Sequence, residues 1–346
     1  MLLLRSSPRN LVFFLFLITF FSCREKNEKK DRASVPADTS LSGRQLSALN
    51  LRIEEDPHNP SLYHDRARLY MQQGNYALAL PDMKSALAMD SSRADFFITL
   101  ADLYFALGKS GNAKAALEKC ISIDSVSKEA YLKLAELYLY VSDYRRSLEY
   151  LSHASGADVH EPKIYFMRGI NYKLMGDTAA AVKNFRKAIE ENPEYYEAFM
   201  QLGILYSARS DKLAVQYFNT AVRLKRASVE ALYGRAMFFQ ENNELNKAIE
   251  DYTAILKIEP ANRYAHFNLG YIHYVYLKAY EQAVKHFTDA IQADNSYAES
   301  YFNRGLCFEA LGNVAGARAD YEKALRMKPG YKAAEDGFKR VGGNGN

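Results

Sequence analysis

Cysteine is scarce in this 346-residue chain: Cys23, Cys120 and Cys307 are its only thiols. Three cysteines spread this far apart do not make a disulfide framework. No HExxH pair, Gly-rich phosphate loop or GxSxG turn occurs anywhere, so the sequence offers no zinc-peptidase, nucleotide-binding or serine-hydrolase constellation. Charge of one sign is also missing. Forty-five Lys and Arg face 41 Asp and Glu, a formal net charge of +4, and Arg5 and Arg9 account for part of that excess near the N-terminus. Binding to a phosphate backbone requires a basic stripe, so nucleic acid is excluded as an expected partner. The apolar run from Leu11 to Phe21 is shorter than the roughly 20 residues that span a bilayer. No catalytic residue, cofactor or metal is expected.

What is present is a stride. Ala67, Ala101, Ala135, Gly169, Gly203, Ala236, Gly270 and Gly305 recur at steps of 34, 34, 34, 34, 33, 34 and 35 residues. A second small series runs in phase: Ala79, Ala113, Ser147, Ala181, Ala214, Ala248, Ala283 and Ala317. A third is aromatic but for one His: Tyr70, Tyr104, Tyr138, Tyr172, Tyr206, Phe239, His273 and Phe308. Three registers in phase mark a repeat array. Within 162–195, Tyr165, Gly169 and Tyr172 fall at helical spacing, and Gly176-Asp177 breaks the pattern. Ala181, Phe185, Ala188 and Ile189 then form a second helical run, ended by Asn192-Pro193. Each repeat is therefore two short antiparallel helices, with small residues where they cross.

This pattern resembles the tetratricopeptide repeat over roughly 60–330. It departs from that family in having no Trp in any repeat, in placing the exit Pro only at Pro193, Pro260 and Pro329, and in a one-residue deletion near Ser210 and an insertion near Tyr276. The resemblance implies an all-α fold, a right-handed α-solenoid of about eight tetratricopeptide helix pairs with short capping helices at both ends. The expected repeats are 60–93, 94–127, 128–161, 162–195, 196–228, 229–262, 263–297 and 298–330. A cap at 44–59 carries Leu46, Leu49 and Ile53, and a cap and tail at 331–346 carry Ala334, Phe338 and Val341.

Four repeats place Arg before the small residue, Arg66, Arg168, Arg235 and Arg304, and sixteen residues later have Asp82, Asn184, Asp251 and Asp320. The other four pair Leu100, Leu134, Leu202 and Leu269 with Ala116, Tyr150, Tyr217 and His286. This covariation predicts a partly buried pair within a repeat; the alternative is a ladder of anion-binding arginines. Cys120 stands where other repeats have Ala86, Ala154 and Ala188, so it is a core residue, too far from Cys307 to bridge. His266, His273 and His286 share the seventh repeat, with His266 and His273 in packing positions. Seven residues of helix, about 10 Å, separate those two, too far for one tetrahedral ion to join directly. They are read as core or groove-edge side chains.

Residues 1–22 read as a leader: Arg5 and Arg9, the apolar stretch, then Ser22-Cys23. The small residue before Cys resembles the bacterial lipobox, although Phe20 and Phe21 depart from its usual residues. The resemblance implies cleavage before Cys23, lipidation of that residue, and a lipoprotein exported to the bacterial envelope. An ordinary secretory signal or an uncleaved anchor are the alternatives. Residues 23–43, charged and then rich in Ser, Pro, Ala and Thr, read as a flexible tether. Arg24 stands where inner-membrane lipoproteins often have Asp, so the implied site is the outer membrane, facing the periplasm.

In the tetratricopeptide fold the first helices line the concave face. Its central positions in repeats four to eight are Phe166 and Ile170, Met200 and Ile204, Tyr233 and Met237, Phe267 and Tyr271, and Phe302 and Leu306, with Tyr264 and Tyr274 beside them. An exposed apolar stripe of this kind marks an interaction site; packing against neighbouring helices is the alternative. Asn268 and Asn303 are two rungs able to bond a peptide backbone. Charges on this face lean acidic: Asp95, Asp102, Glu129, Glu136, Glu197, Glu230, Glu299 and Glu309 against Arg68, Lys163 and Lys173. That combination favours protein or peptide segments that are apolar with basic flanks. A carboxylate clamp for acidic tails is not supported by His64, Arg68, Ile98 and Asp102. The functional expectation is a non-catalytic, lipid-anchored protein–protein interaction scaffold. A receptor for small ligands or glycans and a purely self-associating structural protein are the alternatives.

Overall fold

The computed structural model describes residues 41–157 and 159–342. Cys23 and the rest of the expected leader, and nearly all of the tether, lie outside these residues. The chain runs α1 (Leu41–Glu55), α2 (Pro60–Gln72), α3 (Tyr76–Met89), α4 (Ala94–Ala106), α5 (Ser110–Ile123), α6 (Lys128–Tyr140), α7 (Tyr144–Ala157), α8 (Pro162–Leu174) and α9 (Thr178–Glu191). It continues α10 (Tyr196–Ser207), α11 (Leu213–Leu224), α12 (Val229–Glu241), α13 (Leu245–Ile258), α14 (Arg263–Val275), α15 (Tyr280–Ala293), α16 (Ala298–Ala310), α17 (Val314–Met327) and α18 (Lys332–Arg340). Among the described residues there is no strand. The fold is an α-solenoid of helix pairs, α2/α3 to α16/α17, between α1 and α18. α1 begins at Leu41, earlier than the expected end of the tether at 43.

The small series explains the pairing. Ala67, Ala101, Ala135 and Ala236 have no exposed surface, nor do Ala79, Ala113, Ser147, Ala181, Ala214, Ala248, Ala283 and Ala317. Backbones can approach only where no side chain intervenes. Ser147 meets that condition despite its hydroxyl, which donates to the Ala135 carbonyl at 2.8 Å and accepts from Asn171 at 3.0 Å. Glycine replaces alanine in the first series in four of the five repeats whose second helix brings a ring; repeat six keeps Ala236 beside the fully buried Tyr252. A Cβ on Gly169 would lie 2.5 Å from the Phe185 ring, and one on Gly305 would lie 2.8 Å from Tyr321. Repeats one to three carry Ala there and fill the space with Met83, Leu117 and Leu151, all fully covered.

The third series acts through its backbone. The N–H that opens the second helix donates to the carbonyl of Tyr70, Tyr104, Tyr138, Tyr172, Tyr206, Phe239 and Phe308, at 2.8–3.0 Å, which closes each turn as a Schellman-type cap. In repeat seven the inserted residue lengthens the loop, and the donor to His273 is Ala279, at 2.9 Å.

First helices also meet the next first helix, α2 with α4, α6 with α8, α10 with α12 and α14 with α16, more closely than any two second helices meet. The closer-spaced row lies on the inside of the curve, so the first helices form the concave side. Ala334 of α18 is fully buried, and Gly337 packs on Tyr321 and covers the last pair. Among the described residues no helix is long and apolar enough to cross a membrane.

Candidate functional site: the face of the first helices

The expected open stripe is not open. Met200 and Phe302 are 3% and 7% exposed, and Asn268 and Asn303 are buried. Phe166, Ile170, Ile204, Tyr233, Met237, Tyr264, Phe267, Tyr271, Tyr274 and Leu306 are half-buried, and none of the fourteen is exposed. This corrects the expectation of an uncovered apolar surface.

The cover comes from two directions. Phe166 lies between Phe185 of its own second helix, 5.7 Å between centroids, and Tyr195 at the start of the next repeat, 5.3 Å. Phe267 sits likewise between Phe287 and Tyr297, at 5.6 and 5.2 Å, and Phe302 between Tyr321 and Tyr331, at 5.9 and 5.1 Å. Tyr233 contacts Tyr252 and Tyr264 at 5.9 and 6.2 Å. Tilted and edge-to-face rings at these separations attract beyond their area burial. Burial pushes the phenols of Tyr195 and Tyr331 up to about 12. Tyr195, Tyr297 and Tyr331 are N-caps of α10, α16 and α18 and stand at whole multiples of the stride. That recurrence was visible in the sequence and would have indicated the cover.

The asparagine rungs are also engaged. The Asn268 amide donates to the Tyr264 carbonyl at 2.9 Å and to the Tyr233 hydroxyl at 3.2 Å, and Asn303 donates to the Glu299 carbonyl at 2.7 Å. Their N–H groups serve the fold. Nor are the acids a free negative field. Asp102 and Glu129 hold Lys133, Glu136 holds Lys163, Glu197 holds Lys225, Glu299 holds Lys328, Glu309 holds Arg340 and Asp95 holds Arg93. Among the described residues, Glu230 alone of the expected set has no such base, and it is exposed.

Among the half-buried side chains of this face, one residue after each crossing position forms a row: Ile170, Ile204, Met237, Tyr271 and Leu306. Tyr271 and Tyr274 extend it toward the loop of repeat seven through Tyr276 and Tyr280, at 6.2 and 5.9 Å. More exposed apolar side chains are scattered along the whole array, among them Leu51 at 60%, Val126 at 72%, Tyr140 at 75% and Val314 at 53%.

Three of the four Arg partnerships form as expected. Arg66–Asp82, Arg235–Asp251 and Arg304–Asp320 are bidentate at 2.6–2.8 Å. Each Arg also donates backwards to the preceding helix, to Asn50 at 2.9 Å, Asn219 at 2.7 Å and Thr288 at 3.1 Å. Arg168 is the correction: it donates to the Leu151 carbonyl, while Asn184 bonds the Ala180 carbonyl of its own helix. A neutral amide cannot hold the guanidinium as a carboxylate does. Cys120 and Cys307 are fully buried free thiols, and burial pushes Cys307 up to about 12.

Three tetratricopeptide-repeat family models match the chain, over residues 70–119, over 162–195 and 229–262, and over 273–332. Among curated proteins, tetratricopeptide repeat protein 16 of Homo sapiens is 24% identical over 55% of this chain, and tetratricopeptide repeat protein 6 of Homo sapiens is 28% identical over 48%. The matches span 25% and 32% of those relatives' own lengths. Two solved structures share the fold. The C-terminal part of a repeat-containing protein from Cytophaga hutchinsonii has a TM-score of 0.52 at 18% identity, over 65% of this chain and 93% of its own. A tetratricopeptide repeat protein from Parabacteroides merdae has a TM-score of 0.51 at 17% identity, over 72% and 99%. By sequence match, helix pairing and fold, the chain carries tetratricopeptide repeats.

Proposed function

We propose that this protein is a non-catalytic interaction scaffold that receives a segment of a partner protein along the first helices of repeats four to eight. The carrying observation is the row Ile170, Ile204, Met237, Tyr271 and Leu306: apolar, in register on successive helices, and half-reachable. Such a row suits an extended or helical segment with apolar side chains at matching intervals. The acids beside it are already paired, so basic flanks on the partner would have to exchange with Lys133, Lys163 or Lys225. Glu230 is the acid that such a flank would find unengaged among the described residues. Support for export and lipid anchoring at Cys23, and for a place at the outer membrane facing the periplasm, is the leader pattern of residues 1–23 alone.

The test is photo-crosslinking in the native envelope from Met237 and Tyr271, with Lys84 on the second-helix side as control. One shared protein attached at both row positions and not at Lys84 is expected. Met237→Ala with Tyr271→Ala should then reduce its recovery at least tenfold with helical circular dichroism unchanged. Equal attachment from Lys84, or recovery unaffected by the double substitution, removes the row as the binding surface.

A further inference from the structure

Repeat seven gathers three side chains that the repeat pattern does not call for. His266, on α14, stands where the other repeats have Tyr63, Phe97, Tyr131, Tyr165, Phe199, Leu232 and Tyr301. His286 and Asp289 lie one turn apart on α15, facing it. In repeat three the same positions hold Tyr131, Tyr150 and His153, which pack as rings, with Tyr131 on His153 at 5.1 Å. The meeting point is thus built into the repeat. In repeat seven alone it is furnished with two imidazoles and a carboxylate.

The tautomer of the His266 ring follows from its neighbour. Its Nε2 lies 2.9 Å from the Pro260 carbonyl, which only accepts, so Nε2 carries the proton and Nδ1 of the neutral ring is a bare donor of electrons. A backbone carbonyl fixing the remote N–H is the support that metal-binding histidines usually have. That Nδ1 lies 3.4 Å from Nδ1 of His286 and 3.7 Å from Oδ2 of Asp289, and all three ligand atoms fall within 4.8 Å of one another. A direct N–H···N bond prefers about 2.9–3.0 Å. Two nitrogens bound at about 2.0–2.1 Å to a tetrahedral zinc lie about 3.4 Å apart. The separation fits the ion better than the hydrogen bond.

We infer that His266, His286 and Asp289 form a site for a borderline divalent transition cation of the zinc class. Two nitrogens and one carboxylate oxygen suit Zn(II), Co(II) or Ni(II) over Mg(II) or Ca(II). Three protein ligands leave a fourth position for water or for a partner's side chain. Asp289, 32% exposed, provides the entry, whereas His266 is 11% exposed. His273 is not among the three. Its ring stacks on His286 at 5.4 Å and its buried Nδ1 has no hydrogen-bond partner among the described residues, so it backs the site with one more imidazole. An ion held here ties α14 to α15 and binds only the folded repeat, so it raises thermal stability.

The experiment titrates the full chain, metal-free, with Co(II), alongside His286→Leu and Asp289→Ala. Cys23 is common to all three, so cobalt held there cancels in the comparison. The expected result is one equivalent of Co(II) with intense tetrahedral visible bands, displaced by Zn(II), and a higher melting temperature with Zn(II). Both variants should lose that equivalent and the melting shift while keeping helical circular dichroism. No such bands in the full chain, or the same stoichiometry in all three proteins, overturns the site. Should the variants misfold, the unmodified chain decides: Zn(II) must protect His266 and His286 from diethyl pyrocarbonate, and labelling unchanged by Zn(II) overturns it.

Discussion

Arg235 is about 20% exposed and Asp251 about 7%, so their pair is largely removed from water, and its value depends on both members being present. Breaking a buried pair from one side leaves a charge without a partner, whereas removing both for apolar groups is often nearly neutral. Repeat two already carries the apolar version, Leu100 with Ala116. Asp251→Ala is therefore expected to cost about 3 kcal/mol, and Arg235→Leu with Asp251→Ala about 1 kcal/mol or less. Urea unfolding with a constant m-value measures both. A double variant as unstable as the single would show that the carboxylate matters for something other than its guanidinium. The donation from Arg235 to Asn219 is lost in the double variant, which is why a residual cost is expected.

Helix pairs depend on their turns as much as on their crossings. Every turn between the two helices of a repeat contains one residue with positive φ: Gly74, Gly108, Ser142, Gly176, Ser210, Asn243, Lys278 and Gly312. Glycine adopts this conformation without a Cβ penalty, and other residues pay about 1–2 kcal/mol. Lys278, at φ 55°, is the bulkiest of the four exceptions and lies in the lengthened loop of repeat seven. Lys278→Gly is expected to stabilise the protein by about 0.5–1 kcal/mol, because the relieved strain exceeds the added chain entropy of glycine. A thermal melt checks it, and a lowered melting temperature would mean that the Lys278 side chain contributes more than its backbone costs.

Among the described residues, each helix pair makes its main contacts with its neighbours in the stack. Stability is then a sum of repeat and interface terms, and distant repeats need not unfold together. Ala67 is fully buried at the first crossing, and Ala67→Leu overpacks it at a cost of about 1–3 kcal/mol. Hydrogen exchange is expected to speed up in α1 to α5 and to remain unchanged in α14 to α17. Uniform loss of protection along the chain would instead show one cooperative unit.

Stride, composition and covariation were enough to read the helix pairs, the crossing residues and three of the four Arg partnerships, because those contacts lie within one repeat and recur at one spacing. The coverage of the concave side was not readable that way. Whether Phe166, Phe267 or Phe302 meets solvent depends on Tyr195, Tyr297 and Tyr331, which arrive from the next repeat and reach these rings only when the stack closes to its actual spacing. His266 meets His286 and Asp289 within one repeat, but that contact does not recur at the stride: helical periodicity assigns a side chain to a face, and the distance to the neighbouring helix determines what it touches.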